Sequence, residues 1–196
     1  MRVPLLVFAL LAAPVAALAV EPQAVVEAKI AEIKAIIAAD KTDVGVRAKV
    51  TLVFESFTDF TEFSRQTLKS HWDKLTDKQK VLFTDKYRQL LQKSYIKHFK
   101  ANQPLNVTFR GPAEVIADKA NVPTTVQSGE TKADVDYRLI KKADTFMVYD
   151  LVIDEVSLMR SYRKQFGKIF EKDGFDALIK KIEDRIAKGD GKLEED

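Results

Sequence analysis

A single acid within an apolar segment is the residue best placed to do chemistry. Asp150 interrupts the run from Phe146 to Ile153, which is otherwise nearly all apolar. Apolar surroundings raise the pKa of a carboxyl group, and such a group can act as a general base. A buried acid more commonly pairs with a neighbouring arginine or caps a turn. Asp150 is therefore the one candidate for a catalytic residue, should the protein be an enzyme. The alternative, that Asp150 forms an ion pair or caps a turn, stays open.

Other catalytic and metal-binding patterns are missing from the sequence. It contains no cysteine and only two histidines, His71 and His98, neither at a metal-ligand spacing from the other or from a close pair of carboxylates. There is no nucleophile elbow, phosphate-binding loop or dinucleotide fingerprint. We therefore expect no catalytic residues, no metal and no cofactor.

The elements around Asp150 are a strand followed directly by a helix. The run from Phe146 to Ile153 is apolar on both faces, which is typical of a strand covered on both sides. Ser157 is a suitable cap for the next helix. Its apolar stripe recurs every three or four residues, and Lys172 to Gly174 has the chemistry of a helix end. The stripe consists of Leu158, Tyr162, Phe166, Ile169 and Phe170.

The rest of the chain predicts helices, then strands, then a last helix. Helices are expected from Pro22 to about Ala39, around Val46 to Phe54, from Asp59, and from Thr76 to about Lys100, the longest one. Alternation then predicts strands from Leu105, from Ala120 to Gln127 and from Asp134 to Leu139, besides the strand that contains Asp150. A segment from Ala113 to Ile116 continues the first strand beyond a bend. The short turns predict an antiparallel meander, so the fold class is α+β, with helices on a twisted four-stranded antiparallel sheet.

The two ends of the chain differ in composition from the segment between them. Arg2, the apolar run Val3 to Val15 and the site Ala17-Leu18-Ala19 predict a signal peptide over residues 1–19. We expect one domain over residues 20–188 and a flexible polar tail over 189–196. Export without cysteine suits a bacterial periplasm. The formal net charge of +3 is spread among interspersed charges of both signs, which argues against nucleic acid as a partner.

Two motifs resemble those of the MlaC family, also called the toluene-tolerance or ABC transport auxiliary family. They are VYDLVIDEVSLMRSYRKQF at Val148 to Phe166 and LKSHWDKLTDKQKVLFTDKYRQLLQKSY at Leu68 to Tyr95. VDYRL at Val135 and GFDALI at Gly174 also fit. Lys69 and Glu155 depart from the family pattern, in which glycine is usual at both positions. The departure at Lys69 is expected to alter a helix end and not the binding.

The resemblance implies a soluble periplasmic carrier of phospholipid and not an enzyme. It implies a monomer that takes lipid between an outer-membrane lipoprotein complex and an inner-membrane ABC transporter with its periplasmic ring protein, which maintains outer-membrane lipid asymmetry. The acyl chains would lie in an apolar cavity between sheet and helices, with the headgroup outside. The side chains expected to bind lipid are Phe83, Tyr87, Leu91, Tyr137, Leu139, Val148, Tyr149, Val152, Tyr162 and Phe166.

Three alternatives stay open, the first within the resembling family and the other two from the residues themselves. A carrier of another lipid, such as a hopanoid, would need the same apolar cavity. A small periplasmic α+β enzyme would use Asp150 as its base. A structural or adaptor domain would have a filled core, because apolar stripes alone do not distinguish a core from a cavity.

Overall fold

The computed structural model describes residues 20–189. The predicted signal peptide, and the predicted tail apart from Gly189, lie outside the described residues. The helices are α1 (Pro22–Ala39), α2 (Asp43–Phe57), α3 (Phe60–Leu68), α4 (Asp77–Tyr95) and α5 (Leu158–Lys188). The strands are β1 (Leu105–Phe109), β2 (Glu114–Ile116), β3 (Lys119–Ser128), β4 (Thr131–Lys142), β5 (Thr145–Ile153) and β6 (Val156–Ser157). The α+β class is confirmed.

Side-chain caps begin four of the five helices. Thr42 accepts a hydrogen bond from the Gly45 amide at α2, and Asp59 accepts one from the Glu62 amide at α3. Thr76 and Gln79 form a complete capping box at α4. Ser157 accepts from the Arg160 amide at α5. At each of these ends the cap supplies an acceptor for an amide that has no partner within the helix.

One helix is shorter than predicted, and two predicted helices form a single element with a break between them. The helix from Thr76 ends at Tyr95 instead of Lys100, and a 3₁₀ turn over Ile96–His98 follows it. α4, with 19 residues, is the longest uninterrupted helix of the described chain, as predicted, because the 31 residues of α5 are divided by a kink at Gly174. α5 comprises the two predicted helices, and Gly174 separates them at the predicted place with non-helical geometry (φ 83°, ψ −175°).

The sheet is antiparallel and has six strands in place of the expected four. The order is β1-β3-β4-β5-β6, and β2 also pairs with β3. β1 pairs with residues 124–128 of β3, and β2 pairs with residues 119–121. The segment predicted to continue the first strand is thus a separate strand beyond the Gly111-Pro112 bend. β6 adds only two residues at the opposite edge.

A β-bulge shifts the register between β4 and β5. Leu139 pairs with Val148 and Arg138 pairs with Asp150, so Tyr149 has no partner on β4. Since alternate residues of β4 share a face, Val148 and Leu151, the partners of Leu139 and Tyr137, also share that face. Asp150 and Val152 consequently lie on the opposite face. A regular strand would have placed Val148 and Val152 together.

The helices divide the apolar interior into three clusters. α3, α4 and α5 enclose an aromatic cluster that includes Phe83, Tyr87 and Phe166. α1 packs on the sheet through Val26 and Ile30, and α1 and α2 meet the start of β1 in the third cluster. None of the helices in the described part of the chain has the length and apolar character that a membrane crossing requires.

Candidate functional site

A cavity of about 370 Å³ lies between the sheet and the helices, and some of its lining residues are exposed to solvent. This volume is near the lower limit of ordinary ligand pockets. Most of the lining is apolar, with aromatic side chains from α2, α3, α4 and the sheet. The aromatic members are Phe54, Phe57, Phe60, Phe63, Tyr95, Phe99 and Tyr137.

β4 forms the clearest wall of the cavity. Its alternate residues Thr131, Ala133, Val135 and Tyr137 all line it, and Leu139, the next on that face, does not. At about 3.4 Å per residue, this wall is about 20 Å long. One leaflet of a bilayer has an apolar depth of about 15 Å, half of the ~30 Å hydrocarbon core. The wall is therefore long enough for one fatty acyl chain.

The facing wall comes from helix ends and carries ring contacts. Phe54 packs on Phe57 with ring centroids 5.8 Å apart, and on Phe99 at 6.0 Å. Leu158, the first residue of α5, is buried and also lines the cavity. These rings give the helical side a surface that is apolar and has few rotamers, which limits the entropy lost when a ligand packs against it.

The tyrosine hydroxyls of the lining stay protonated at neutral pH. Burial raises the pKa of Tyr137 to about 12. Burial is also the main cause that raises the pKa of Tyr95, with further contributions from Tyr162, to which Tyr95 is hydrogen-bonded. Neither phenol therefore contributes charge, and the interior of the cavity is uncharged.

Lys97, His98 and Lys100 are exposed residues of the lining, and we call the part of the cavity that they border its mouth. Lys97, His98 and Lys100 follow the end of α4, and no aspartate or glutamate lines the cavity in the part of the chain that the structure describes. Partial burial, and then the charges of Lys97 and Lys100, lower the pKa of His98. The neutral form of this imidazole is therefore favoured at pH 7, and the two lysines supply the positive charge.

Three of the ten residues expected to bind lipid line this cavity. They are Leu91 on α4, Tyr137 on β4 and Val148 on β5. The other seven are not part of its lining. Four of these are aromatic side chains of the helices, and three belong to the sheet.

The four helical aromatics pack on one another in a closed cluster. Phe83, Tyr87, Tyr162 and Phe166 are each 0% exposed. Tyr87 lies 5.1 Å from Tyr162 and 5.5 Å from Phe166, measured between ring centroids, and both pairs are edge-to-face. This cluster backs the helical wall, and its own rings fill the space between α4 and α5.

The three remaining sheet residues have different positions. Leu139 is 0% exposed and packs in the cluster formed with α1. Tyr149 is the extra residue of the bulge, and the Lys119 ammonium lies 5.5 Å from its ring centroid. Val152 is buried on the face of β5 opposite the cavity. The bulge explains why Leu151 lines the cavity in place of Val152.

Asp150 is fully buried and its carboxylate has three partners. Arg138 Nη1 donates to it at 3.0 Å, Ser157 Oγ at 2.7 Å and the Met159 amide at 3.0 Å. Burial raises the pKa of Asp150, and these hydrogen bonds oppose the rise. The carboxylate lies outside the cavity lining and joins β5 to the start of α5. This is the ion-pair and turn-capping role, and the geometry offers no approach to a substrate in the cavity.

Sequence reasoning missed the aromatic residues at the junction of α2 and α3. Phe54, Phe57, Phe60 and Phe63 all line the cavity, and they recur at every third position across a helix boundary. That spacing was the available signal. It was hidden because each helix, taken separately, has an ordinary apolar stripe. No group of three or more histidine, cysteine, aspartate or glutamate side chains within residues 20–189 could hold a metal ion.

Comparisons with known proteins give a matching family and a matching fold. The family model described as MlaC protein matches residues 24–184. No curated protein matches the chain. A solved structure of a phospholipid-binding protein from Ralstonia solanacearum, in complex with a phospholipid, has a TM-score of 0.74 and 23% sequence identity, covering 87% of this chain and 99% of that one. At this level of identity the two proteins share the fold.

Proposed function

The chain belongs to the MlaC family, and on that basis we propose that it is a phospholipid carrier that holds the acyl chains of its cargo in the cavity. The observation that supports this most is the combination of an uncharged apolar interior with a mouth of positive charge. That arrangement complements a molecule with an apolar chain at one end and a phosphate at the other.

The energetics of carriage require such a cavity and no catalytic group. Two acyl chains contain about 30 methylenes, each worth about 0.8 kcal/mol on transfer from water, so a free lipid in water is unfavourable by more than ~20 kcal/mol. A carrier need only offer an apolar site that makes exchange with a bilayer nearly neutral. The cavity wall on β4 provides about 20 Å of such surface.

We propose that the acyl chain contacts Leu91, Tyr137 and Val148 from the expected set, together with Val135 and the four phenylalanines of the α2–α3 junction. Phe83, Tyr87, Tyr162 and Phe166 would act behind this wall, and would contact lipid only if α4 and α5 separated to enlarge the cavity. Leu139, Tyr149 and Val152 would support the sheet.

The cellular role proposed here is transport of phospholipid across the periplasm. The carrier would be exported by the signal peptide of residues 1–19 and would exchange lipid as a monomer with an outer-membrane lipoprotein complex and an inner-membrane ABC transporter with its ring protein. This exchange would help to maintain lipid asymmetry of the outer membrane.

The direct test is native mass spectrometry of the protein purified without detergent. We expect extra mass equal to a diacyl phospholipid. Ala133→Trp places a large ring inside the cavity and should remove this mass while the protein stays folded. Lys132→Trp is the matched control, because the exposed Lys132 is its neighbour on β4 and lies on the other face.

Three results would count against the proposal. A protein without bound lipid would contradict it, as would full lipid loading of Ala133→Trp. Bound mass that matches a hopanoid or another lipid without phosphate would show a different cargo.

A further inference from the structure

The mouth of the cavity carries the features of an anion subsite. We infer that Lys97 and Lys100, with His98 and the facing polar groups, bind the phosphate of the cargo, so that the carrier prefers headgroups with a net negative charge. This inference rests on the proposed function and adds to it a headgroup preference.

The positive charge at the mouth is not neutralised within the described chain. Neither Lys97 nor Lys100 forms an ion pair within residues 20–189. Lys97 Nζ donates to the carbonyl oxygen of Gly189 at 3.3 Å, which is an uncharged acceptor. No aspartate or glutamate within the described residues lines the adjoining cavity. An anionic group at the mouth would therefore meet two ammonium groups that form no ion pair within residues 20–189.

The backbone that carries these lysines is held in place by α2. The Arg47 guanidinium donates to the Phe99 carbonyl oxygen at 3.1 Å. The Ala101 amide donates to the Asp43 carboxylate at 2.9 Å, and Arg47 pairs with Asp43 at 3.2 Å. Two hydrogen bonds thus fasten the chain on either side of Lys100. Such preorganisation lowers the entropy cost of binding a ligand at this segment.

Neutral polar groups also line the mouth. Gln103 Nε2 donates to Ser128 Oγ at 3.1 Å, and both residues line the cavity with Thr131. Hydroxyl and amide groups are suitable partners for phosphate and glycerol oxygens. The mouth therefore combines cations from one segment with uncharged donors and acceptors from the sheet.

A net negative headgroup should benefit more than a zwitterionic one. Both kinds contain the phosphate that the lysines attract, but the ammonium of a zwitterionic headgroup is repelled by the same charges. Exposed charge pairs are each weak, at about 0.2–1 kcal/mol. Repulsion of the zwitterionic ammonium by two lysines, at the same size per contact, predicts a preference of about two- to thirty-fold for the anionic lipid, measured as the ratio of bound species.

In the experiment, the lipid-free full chain is incubated with vesicles. These contain equimolar phosphatidylglycerol and phosphatidylethanolamine with identical acyl chains. Native mass spectrometry of the recovered protein then gives the ratio of the two bound lipids. The test variant is Lys97→Gln/Lys100→Gln. Its matched control is Lys34→Gln/Lys164→Gln, which removes the same charge from two exposed positions outside the cavity lining.

We expect wild type and control to favour phosphatidylglycerol, and the test variant to bind both lipids in nearly equal amounts with its total loading retained. An unchanged preference in the test variant would overturn the inference. Equal binding of the two lipids by wild type would overturn it too, while leaving the carrier function intact, because lipid would still be bound. Failure of the carrier function would instead appear as no lipid of either kind.

Two further measurements distinguish a lipid headgroup from free phosphate and from a membrane surface as the anion that the lysines bind. Inorganic phosphate added at millimolar concentration should leave the lipid ratio unchanged, since it lacks the acyl chain that holds the cargo. If phosphate alone shows saturable binding that the test variant loses, the mouth is a site for free anions and the inference is overturned. If the test variant loses only adsorption to phosphatidylglycerol vesicles, and its bound lipid ratio stays that of wild type, the lysines serve the membrane surface and the inference again fails.

Discussion

Lys69 adopts a backbone conformation that is costly for any side chain. It follows α3 with φ 52° and ψ −119°, a region that glycine occupies without the steric conflict of a Cβ atom. This is one of the two positions at which the resemblance to the MlaC family predicted glycine. The other, Glu155, has a φ of 69° in the turn between β5 and β6. Both turns keep a positive φ despite the substitution.

Lys69→Gly should therefore stabilise the protein. Relief of the strained conformation is worth about 1–3 kcal/mol, and the greater freedom of glycine in the unfolded chain costs about 0.5–1 kcal/mol. We expect a net gain of about 1 kcal/mol in the free energy of unfolding, measured by urea denaturation. Lys74→Gly is the control, because Lys74 has no positive φ, and it should lower stability. A loss of stability in Lys69→Gly would show that its side chain matters more than its backbone.

Asp40 stabilises the turn between α1 and α2 through its charge. The Lys49 ammonium lies 2.9 Å from its carboxylate, and the Thr42 amide donates to it at 3.0 Å. The hydrogen bond from Lys49, followed by that from Thr42, lowers the pKa of Asp40 from 3.8 to about 2. Since the folded pKa is below the unfolded one, the stabilisation is complete above the unfolded pKa and is lost as the pH falls through the folded pKa.

Asp40→Asn should have a lower melting temperature than wild type at pH 6. In acid the two melting temperatures should become similar. The difference from wild type should narrow as the pH falls from about 4 towards about 2, the window between the two pKa values. Thermal melting at several pH values measures it. Lys49→Gln removes the largest cause and should show the same narrowing. A difference that is constant over this range would rule out a contribution from the ionised carboxylate.

At the scale of elements, α5 is two helical segments joined at Gly174. Its φ of 83° is outside the range that other residues adopt at low cost, and a Cβ atom there would meet nothing within 4 Å. The geometry at this position is therefore set by the backbone and not by crowding. The break redirects the chain so that Leu178 and Ile182 reach the same aromatic cluster as Tyr162 and Phe166.

Gly174→Ala should destabilise the protein by about 1–2 kcal/mol, because alanine at positive φ is strained. Gly167→Ala in the same helix is the matched control. Its added Cβ would also meet nothing within 4 Å, but Gly167 is helical, so the alanine should stabilise by up to about 1 kcal/mol. Urea denaturation of the pair measures both. Equal effects in the two variants would contradict the role of the Gly174 backbone.

At the scale of the whole molecule, one face of β4 passes from an open cavity to a filled core. Val135 lines the cavity and is half-buried, whereas Leu139, two positions beyond Tyr137, is 0% exposed among side chains of α1 and the sheet. The two residues share a strand and a face and differ only in what lies opposite them. The cavity is therefore a local lack of packing between sheet and helices within one continuous apolar interior.

This difference predicts opposite outcomes for the same substitution. Val135→Glu should fold, because its carboxyl group can reach water at the open cavity or become protonated, and it should lose bound lipid. Leu139→Glu should fail to fold, because burial of an unpaired acid costs several kcal/mol, comparable to the stability of a domain. Thermal melting and lipid content of the same samples measure both. A Val135→Glu protein with its full lipid load would exclude this wall from the binding site.

The sequence by itself determined the elements and the fold class. Helix starts could be predicted because they depend on a few local atoms. The predicted starts at Pro22, Asp59, Thr76 and Ser157 each lie within one residue of an observed start. Alternation predicted β1, β3 and β4, and the nearly continuous apolar run from Phe146 to Ile153 predicted β5. The MlaC motifs were likewise readable from the chain, and the family model confirms them.

Only the tertiary structure decided which apolar side chains line the cavity. A helical stripe or an alternating strand shows that a face is apolar, but not whether the opposite surface fills it. Phe83 and Phe166 meet each other across α4 and α5 with ring centroids 5.9 Å apart, whereas Val135 faces open space in the cavity. The bulge at Tyr149 likewise depends on pairing between two strands, and it placed Leu151 instead of Val152 in the cavity. Which side chains line the cavity depends on contacts between elements that are distant in sequence. Local periodicity therefore does not predict it.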